Sequence, residues 1–260
     1  MAALTDPPTS ERLHQIVDAM AGCPVALLVD LVLDHYITGE PKRISREAPV
    51  LILGRVSEEL IPGGGANAVA NIAALGGLPL PLGLVGDDDR GGDLCRLLEA
   101  RGIPTDGIVR RADYRTPTKT RILAGGRHAI KQQIVRYDVD DVAALDDDGR
   151  ADLLARLDRL ADRLDRPIRA AVLSDYGCGA VDPALVPGLR QRLGPSGVLL
   201  GDSRHRLSAF QGLDGATPNL EEVETLLGRD LDDHADGLEQ AGWSLRERLG
   251  LRFLLITRGS

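Results

Sequence analysis

The stretch Pro24 to Leu33, PVALLVDLVL, carries the strongest information about the fold. It is a short and almost continuous apolar run, interrupted only by Asp30. Runs of this length and composition are typical of a strand that is buried on both faces of a parallel sheet. Further short apolar runs predict strands at Leu80 to Val85, Arg169 to Leu173, Val198 to Leu200 and Phe253 to Ile256.

Segments with helical spacing lie between these runs. Ala66 to Leu75, ANAVANIAAL, is rich in alanine and is followed by Gly76 and Gly77, which predicts a helix that ends at the glycines. The alternation of strand and helix predicts an α/β fold with a mostly parallel sheet flanked by helices. Other predicted helices cover Gly91 to Arg101, Asp148 to Leu164, Pro183 to Leu193, Leu220 to Leu227 and a segment that includes Ser244 to Arg248.

Two stretches break this alternation. Tyr36 to Leu60 contains short β-like runs without a helix, and Arg115 to Val139 reads as two strands around Gly125 and Gly126, a hairpin pattern. Together they predict a small β lid made of two separated segments. We therefore divide the chain into an α/β core, residues 1–35, 61–112 and 140–260, and a lid, residues 36–60 and 113–139.

Composition excludes several classes of function. The 260 residues carry 39 acidic and 31 basic side chains, and the isoelectric point is about 5.2, which argues against non-specific binding to nucleic acid or to an anionic membrane. No apolar run approaches the ~18 residues of a spanning helix, and the first residues lack a secretory signal pattern, so we expect a cytoplasmic protein. The three scattered cysteines are expected to be free thiols.

Acidic residues follow several predicted strands. Asp30 and Asp34 close the first strand, Asp175 follows the run AAVL, and Asp202 follows GVLLG. Ligands of open α/β sheets bind beyond the carboxyl ends of the strands, where such carboxylates can accept hydrogen bonds from ligand hydroxyls. The alternative is that Asp30 or Asp34 only caps the next turn.

A glycine-rich turn precedes the first long helix. Consecutive glycines between Pro62 and Asn67 allow close approach of a ligand to the backbone, and the helix that follows offers free N–H groups. Asn67 can donate to and accept from a pair of hydroxyls. The alternative is a plain glycine turn capped by Asn67. The run is neither GxGxxG nor a phosphate-binding Walker loop, which disfavours a dehydrogenase.

The segment TPNLEE, residues 217–222, places Asn219 at a predicted helix start and Glu222 three residues later. This spacing fits a helix cap with an acidic first turn. It also fits a magnesium ion held through water beside phosphates. Ser203 has no glycine elbow around it, which disfavours a serine hydrolase.

A set of motifs then occurs in one order from about residue 24 to the end of the sequence. It resembles the ribokinase-like (PfkB) carbohydrate kinases, and within them the heptose 7-phosphate kinase domain of bifunctional ADP-heptose synthases. The motifs are DLVLDHYITGEPKRISREAPV (30–50), PGGGANAVANIAALGG (62–77), LVGDDDRGGDL (84–94), TPTKTRILAGGRHAIKQQIVRYD (116–138), LSDYGCG (173–179), DSRHRL (202–207), TPNLEE (217–222) and ITRGS (256–260).

The resemblance implies a kinase that uses ATP and Mg²⁺ and forms a homodimer through its lid. It implies phosphate and magnesium binding by Asn219 and Glu222, with Glu222 as the metal ligand, and a nucleotide pocket that begins at Thr257. Four lid cations are candidate partners of a phosphate that the substrate already carries, namely Lys119, Arg121, Lys131 and Arg136. The implied sugar contacts are Asp34, Gly63, Gly64, Asn67 and Asp175.

Three departures from the family pattern bear on activity. Val29 stands where the family usually has glycine, and Cys178 stands where the closest relatives commonly have lysine. The GAGD motif that supplies the catalytic base does not occur in the 260 residues, so we assign no catalytic residue and expect the base beyond residue 260. We also expect the final strand, Phe253 to Ile256, to lie within the sheet, because its apolar side chains need cover on both faces. The resemblance implies further strands and helices after it, so we expect an unpaired strand edge or uncovered apolar surface there.

Two hypotheses follow from the sequence. The first is a carbohydrate kinase that phosphorylates a sugar or sugar phosphate, with activity impaired by the absent motif. The second is a non-catalytic sugar-binding or dimerisation module derived from such a kinase. Titration with nucleotide and with sugar separates them, because the module would keep only the sugar.

Overall fold

The computed structural model describes residues 9–126, 129–231 and 235–258. Within these ranges the strands form two sheets. The strands are β1 (Pro24–Val29), β2 (Leu31–Ile44), β3 (Leu51–Gly63), β4 (Leu78–Gly86), β5 (Ile108–Arg111), β6 (Thr118–Ala124), β7 (Gln132–Val139), β8 (Ala170–Asp175), β9 (Val198–Ser203), β10 (Gly215–Ala216) and β11 (Phe253–Leu254).

The predicted helices are confirmed, with ends that differ by a few residues. One helix near the amino terminus, which the sequence pattern did not predict, starts after the capping side chain of Thr9 and buries none of its residues. The helices are α1 (Ser10–Ala19), α2 (Gly64–Ala74), α3 (Asp89–Glu99), α4 (Asp147–Ala161), α5 (Val186–Leu193), α6 (Leu220–Leu227) and α7 (Ala235–Arg248), and short 3₁₀ turns cover Pro183–Leu185 and Leu207–Ala209.

The main sheet is parallel in every strand pair, with the order β11-β10-β9-β8-β1-β4-β5. Alternate residues of β1 belong to different core clusters. Ala26 and Leu28 pack with residues of α4, α5 and α7, whereas Leu27 and Val29 pack with residues of α2 and α3. Side chains of a strand alternate between its faces, so β1 is buried on both faces, as the apolar run predicts.

The first apolar run is nevertheless not one strand. β1 ends at Val29, and Leu31 begins β2, which belongs to the second sheet. Leu31 and Leu33 are as buried as the residues of β1 because they pack in the core cluster of α2 and α3. Hydrophobicity alone therefore does not reveal where the chain passes from one sheet to the other.

The second sheet joins the two β-like segments, in the order β3-β2-β6-β7. Residues opposite each other in the register share a face. One face carries charged side chains, including Lys119 and Arg121 beside Asp34, and the other carries Ile37, Ile122 and Val135 in a row across three strands. The division of the chain into core and lid domains stays a prediction.

The last strand lies within the main sheet, as the sequence predicts. β11 contains only Phe253 and Leu254, lies at the edge of the sheet and leaves Phe253 46% exposed and Leu255 59% exposed. Within the residues that the structure describes, this agrees with the predicted unpaired strand edge and uncovered apolar surface. No helix in those residues is long and apolar enough to cross a lipid bilayer.

The glycine turn before α2 packs against the end of β1. A Cβ atom on Gly65 would lie 2.5 Å from the Cβ of Val29 and 2.8 Å from the carbonyl oxygen of Asp30. The Gly65 N–H donates to that same carbonyl oxygen, at 3.0 Å. Glycine at this position lets helix α2 start in contact with the buried strand.

Replacing Gly65 with alanine should therefore destabilise the protein by about 1–3 kcal/mol through overpacking. Gly92 in α3 is the matched control, because the nearest atom to its added Cβ would be the flexible end of Arg96 at 3.3 Å. Gly92→Ala should be neutral or stabilise by up to about 1 kcal/mol, the helix propensity difference. Urea unfolding of both variants measures this, and equal destabilisation would contradict the packing argument.

Candidate functional site

A cavity of about 330 Å³ opens at the carboxyl edge of the main sheet. Its walls come from the segments that follow β8, β9 and β10, and from the start of α6. The carboxyl edge is where the sequence predicts a ligand site. The lining residues are Asp175, Tyr176, Asp202, Arg204, Thr217, Asn219, Glu222 and Thr257.

The carboxylate of Asp175 is buried and fully engaged by the protein. One oxygen accepts from Arg206 Nη2 at 2.6 Å and from the N–H of Gly177 at 3.1 Å. The other accepts from the hydroxyl of Ser203 at 2.6 Å and from Arg206 Nε at 3.2 Å. Four donors fill the lone pairs of both oxygens, so this carboxylate holds the cavity wall together. A direct sugar contact by Asp175 stays a prediction.

Asn219 and Glu222 form the helix cap that the sequence pattern suggests. The Asn219 side chain accepts from the N–H of Glu222, and the Glu222 carboxylate accepts from the N–H of Asn219, both at 2.9 Å. The N–H of Thr257 donates to the Pro218 carbonyl at 3.0 Å and brings Thr257 beside Asn219. All three named site residues line the cavity, so the capping role and a ligand role are compatible.

Two carboxylates, Asp202 and Glu222, line the cavity, and the charge of one acts on the other. Burial raises the pKa of Asp202 above its ordinary value, and repulsion by the charge of Glu222 raises it further. Among the residues that the structure describes, no group of three His, Cys, Asp or Glu side chains could hold a metal ion. Mg²⁺ needs only one or two carboxylates when waters and phosphates complete its shell, so this pair fits a magnesium ion that arrives with phosphates.

Cationic side chains border the same cavity. Arg204 lines it and is exposed, and its charge opposes the rise in the pKa of Asp202. The ammonium of Lys119 lies 5.8 Å from the centroid of the Tyr176 ring. Tyr176, Asp202 and Arg204 are cavity residues that the sequence analysis did not assign, although it placed Asp202 at a strand end.

Of the five implied sugar contacts, Asp175 lines this cavity and the other four do not. Asp34 forms an ion pair with Arg121 at 2.6 Å and covers Gly63, where an added Cβ would lie 2.7 Å from the Asp34 carboxyl carbon. Gly64 has a φ of +50°, which glycine adopts readily.

Asn67 is exposed in the first turn of α2. Neither Asp34 nor Asn67 lines the cavity. Asp34 is opposite Lys119 in the register of β2 and β6, and the Lys119 ammonium lies near the Tyr176 ring, so Asp34 lies on the Tyr176 side of the site. Joint binding of one ligand by Asp34, Asn67 and Asp175 stays a prediction.

The lid cations differ in what they already bind. Arg121 pairs with Asp34, and Arg136 pairs with Asp138 through two hydrogen bonds, at 2.9 and 2.6 Å. Lys131 donates to the carbonyl oxygens of Gly125 and Gly126. Across the described residues, Lys119 makes no hydrogen bond or ion pair, so its ammonium is the lid cation available to an anion.

Two departures from the family pattern have local explanations. The Val29 side chain is fully buried in the core cluster of α2 and packs against Gly65, so it faces the helix and not the cavity. The N–H of Cys178 donates to Asp30 at 2.9 Å, and burial raises the pKa of its thiol to about 12. Cys178 is therefore a neutral thiol near pH 7.

Comparison with known proteins agrees with this architecture. Residues 33–163 match the pfkB family of carbohydrate kinases. The chain is 31% identical over 268 residues to the bifunctional protein HldE of Mesorhizobium japonicum, and 36% identical over 257 residues to that of Pelobacter propionicus. These alignments cover 97% and 95% of this chain but 49% of each relative, so the chain spans about half the length of the curated relatives it matches.

Solved structures share the fold at low sequence identity. Phosphofructokinase-2 from Escherichia coli in complex with fructose-6-phosphate superposes with a TM-score of 0.67 at 20% identity, covering 92% of this chain and 74% of that one. Arabidopsis thaliana ribokinase complexed with ribose and ATP gives a TM-score of 0.64 at 16% identity, covering 93% and 73%.

The repulsion between Asp202 and Glu222 yields a test. Glu222→Gln keeps a capping side chain at this position but removes its charge, so the pKa of Asp202 should fall toward its ordinary value. Carboxyl-carbon NMR titration measures the pKa of Asp202 directly. Glu221→Gln is the control, because Glu221 lies in the same helical turn but does not line the cavity.

The raised pKa of Asp202 also predicts that the stability of the protein depends on pH. Between the ordinary aspartate pKa and the raised pKa of Asp202, the folded protein keeps a proton that the unfolded chain has lost. The contribution of Asp202 to stability therefore falls as the pH rises through this window, and Glu222→Gln should reduce that fall. An Asp202 pKa that responds equally to both substitutions would contradict the assigned contact.

Proposed function

The chain belongs to the pfkB family of carbohydrate kinases, and from this we propose that it binds Mg²⁺-ATP and a sugar phosphate for transfer of the γ-phosphate to a sugar hydroxyl. The substrate class implied by the sequence resemblance is a heptose 7-phosphate. One observation supports the proposal above the others. The cavity at the carboxyl edge combines two carboxylates, Asp202 and Glu222, with the exposed guanidinium of Arg204.

The nucleotide end of the proposed site is this cavity. Asp202 and Glu222 would hold magnesium, and Arg204, Asn219 and Thr257 would contact phosphate oxygens. Bound magnesium would offset the negative charge of the phosphates. The protein's part is to aim these fixed groups at the phosphates before they arrive.

In the proposed reaction, a sugar hydroxyl oxygen forms a bond to the γ-phosphorus of ATP. The bond between that phosphorus and the β–γ bridging oxygen breaks, ADP leaves with the electron pair, and one proton is released to solvent. Such chemistry depends mainly on positioning and charge stabilisation. The residues named here bind and orient the two reactants.

The sugar end of the proposed site lies under the lid. Asp34, Gly63, Gly64, Asn67 and Asp175 are the proposed sugar-binding residues, and residues 36–60 and 113–139 form the proposed lid over them. Of the lid cations, Lys119 is our choice for the phosphate that the substrate brings. Its ammonium is not neutralised by a protein carboxylate and lies near the Tyr176 ring at the cavity wall.

The lid also supports a proposed homodimer. Its charged face carries Lys119 toward Tyr176. The opposite face carries a row of apolar side chains, of which Val135 is 49% exposed and Tyr137 64% exposed, beside the contact between His35 and Glu58. An exposed apolar face of a sheet is a common docking surface for a second protein. We propose that a second copy of this chain covers it.

Calorimetric titration tests the proposed kinase. The wild-type chain should bind Mg²⁺-ADP and a heptose 7-phosphate, each with one site. Lys119→Gln should weaken binding of the sugar phosphate by about tenfold or more, because a charge-assisted hydrogen bond is lost. Binding of Mg²⁺-ADP should be unchanged.

Lys131→Gln is the matched control, because Lys131 lies near the same lid strands but is engaged by backbone carbonyls. Equal weakening by both substitutions would contradict the choice of Lys119. Sugar phosphate binding without any nucleotide binding would contradict the kinase and favour a sugar-binding module.

Sedimentation velocity tests the homodimer. Val135→Glu places a charge in the apolar lid face and should shift the protein toward monomer. Val142→Glu is the control, because Val142 is 70% exposed and lies outside the strands of the lid. A wild-type monomer at micromolar concentration, or dissociation by both substitutions, would contradict the proposed interface.

A further inference from the structure

Asp30 is a fully buried carboxylate at the junction of the two sheets. Its side chain accepts three backbone N–H groups, from Tyr176 at 2.7 Å, Cys178 at 2.9 Å and Ala180 at 3.0 Å. Its backbone N–H donates to the Ser174 carbonyl at 3.0 Å. Hence Asp30 is bonded to the end of strand β8 and to the turn that follows it.

The turn after β8 is shaped to receive this carboxylate. The three donors are alternate residues, and the residues between them are Gly177, with a φ of +81°, and Gly179, with a φ of +95°. Positive φ values at alternate positions curl the backbone so that its N–H groups converge on one concave side. Such a concavity binds anions, and here the anion is a side chain of the protein itself.

Among the residues that the structure describes, no cation forms an ion pair with Asp30; the charge of Asp30 acts on Arg206, which is itself paired with Asp175. The pKa of Asp30 is raised above its ordinary value mainly by burial, and the three N–H groups and the like charge of Asp175 act in opposite directions on it. A buried carboxylate without a charged partner is costly unless hydrogen bonds compensate. The three backbone N–H groups of the turn therefore supply the compensation that the Asp30 carboxylate needs.

We propose that Asp30 is a positioning residue that sets the affinity of the cavity for its ligand. It does so by holding residues 176–180, which include Tyr176 in the cavity wall and follow directly on Asp175. Lys119 lies over the same tyrosine ring, so the turn also fixes the surface against which the lid cation is placed. The affinity part of this inference rests on the proposed kinase function.

Asp30→Asn is the variant that tests it. The amide keeps the shape of the carboxylate but has one acceptor oxygen, so at best two of the three N–H bonds survive and one N–H faces an NH₂ group. Amide hydrogen exchange at residues 176, 178 and 180 should accelerate by about tenfold or more, and the dissociation constant for Mg²⁺-ADP should rise by about tenfold, the scale of one lost hydrogen bond to a charged group.

Asp214→Asn is the matched control. Asp214 is also a buried carboxylate, which accepts from the N–H of Leu199 at 2.8 Å and pairs with Arg190. Leu199 lies at the opposite end of β9 from the cavity residue Asp202, and Asp214 does not line the cavity. Asp214→Asn should lower stability yet leave both the exchange of the three amides and the affinity for Mg²⁺-ADP unchanged.

The outcomes separate the inference from the proposed function. Unchanged amide exchange in Asp30→Asn, or faster exchange with unchanged affinity, would overturn the positioning role. If the wild-type protein does not bind Mg²⁺-ADP, the proposed function fails, and the exchange of the three amides alone decides whether Asp30 holds the turn. If Asp30→Asn does not fold, Gly177→Ala replaces it, because it strains the turn at a φ of +81° while an added Cβ meets no atom within 4 Å and Gly177 does not line the cavity. Weaker Mg²⁺-ADP binding would then support the inference, and unchanged binding would overturn it.

Discussion

The site depends on one interaction, the buried carboxylate of Asp30 in a concave turn of backbone N–H groups. Removing a charge from water without a partner would cost several kcal/mol. The residues that surround Asp30 must therefore leave its hydrogen bonds intact. Gly177 and Gly179 are needed to shape the turn. Gly65 is needed because its N–H bonds to the carbonyl of Asp30 and its Cα lies against Val29. One aspartate thus aligns the glycine turn of α2, the end of β8 and the entry to the lid.

The charged side chains that line the cavity do not form ion pairs with one another, which suits a site for a charged ligand. Asp202 and Glu222 repel each other, and burial keeps the pKa of Asp202 high. Arg204 reduces this repulsion but forms no ion pair with either carboxylate, and Lys119 on the lid forms no ion pair with any residue that the structure describes. On the lid, by contrast, Arg136 and Asp138 form an ion pair with two hydrogen bonds. A ligand that brings both phosphates and a divalent cation would satisfy both signs of charge.

Most of the fold follows from local sequence, because buried parallel strands and amphipathic helices have distinct periodicities. The same reasoning identifies Asn219 and Glu222 as a helix cap, because a helix cap is a sequence pattern over four residues. Local sequence does not show that β1 ends at Val29, because Leu31 and Leu33 are as apolar as the residues of β1. Nor does it find the partner of Asp175. Arg206 is 31 residues away in sequence, and its contact with Asp175 depends on how the segment after β9 folds back on β8.

The acidic residues at the carboxyl edge therefore divide by how many protein donors each one already binds. Asp30 and Asp175 look equivalent to Asp34 and Asp202 in the sequence, because each follows an apolar strand. In the structure, Asp30 accepts three backbone N–H groups and Asp175 accepts four donors, whereas Asp34 is engaged through one oxygen by a single arginine. A carboxylate whose lone pairs are mostly taken by protein donors holds the protein in shape, and one with free lone pairs has capacity for a ligand. By this criterion, Asp34, Asp202 and Glu222 have more capacity for a ligand than Asp30, with three protein donors, and Asp175, with four.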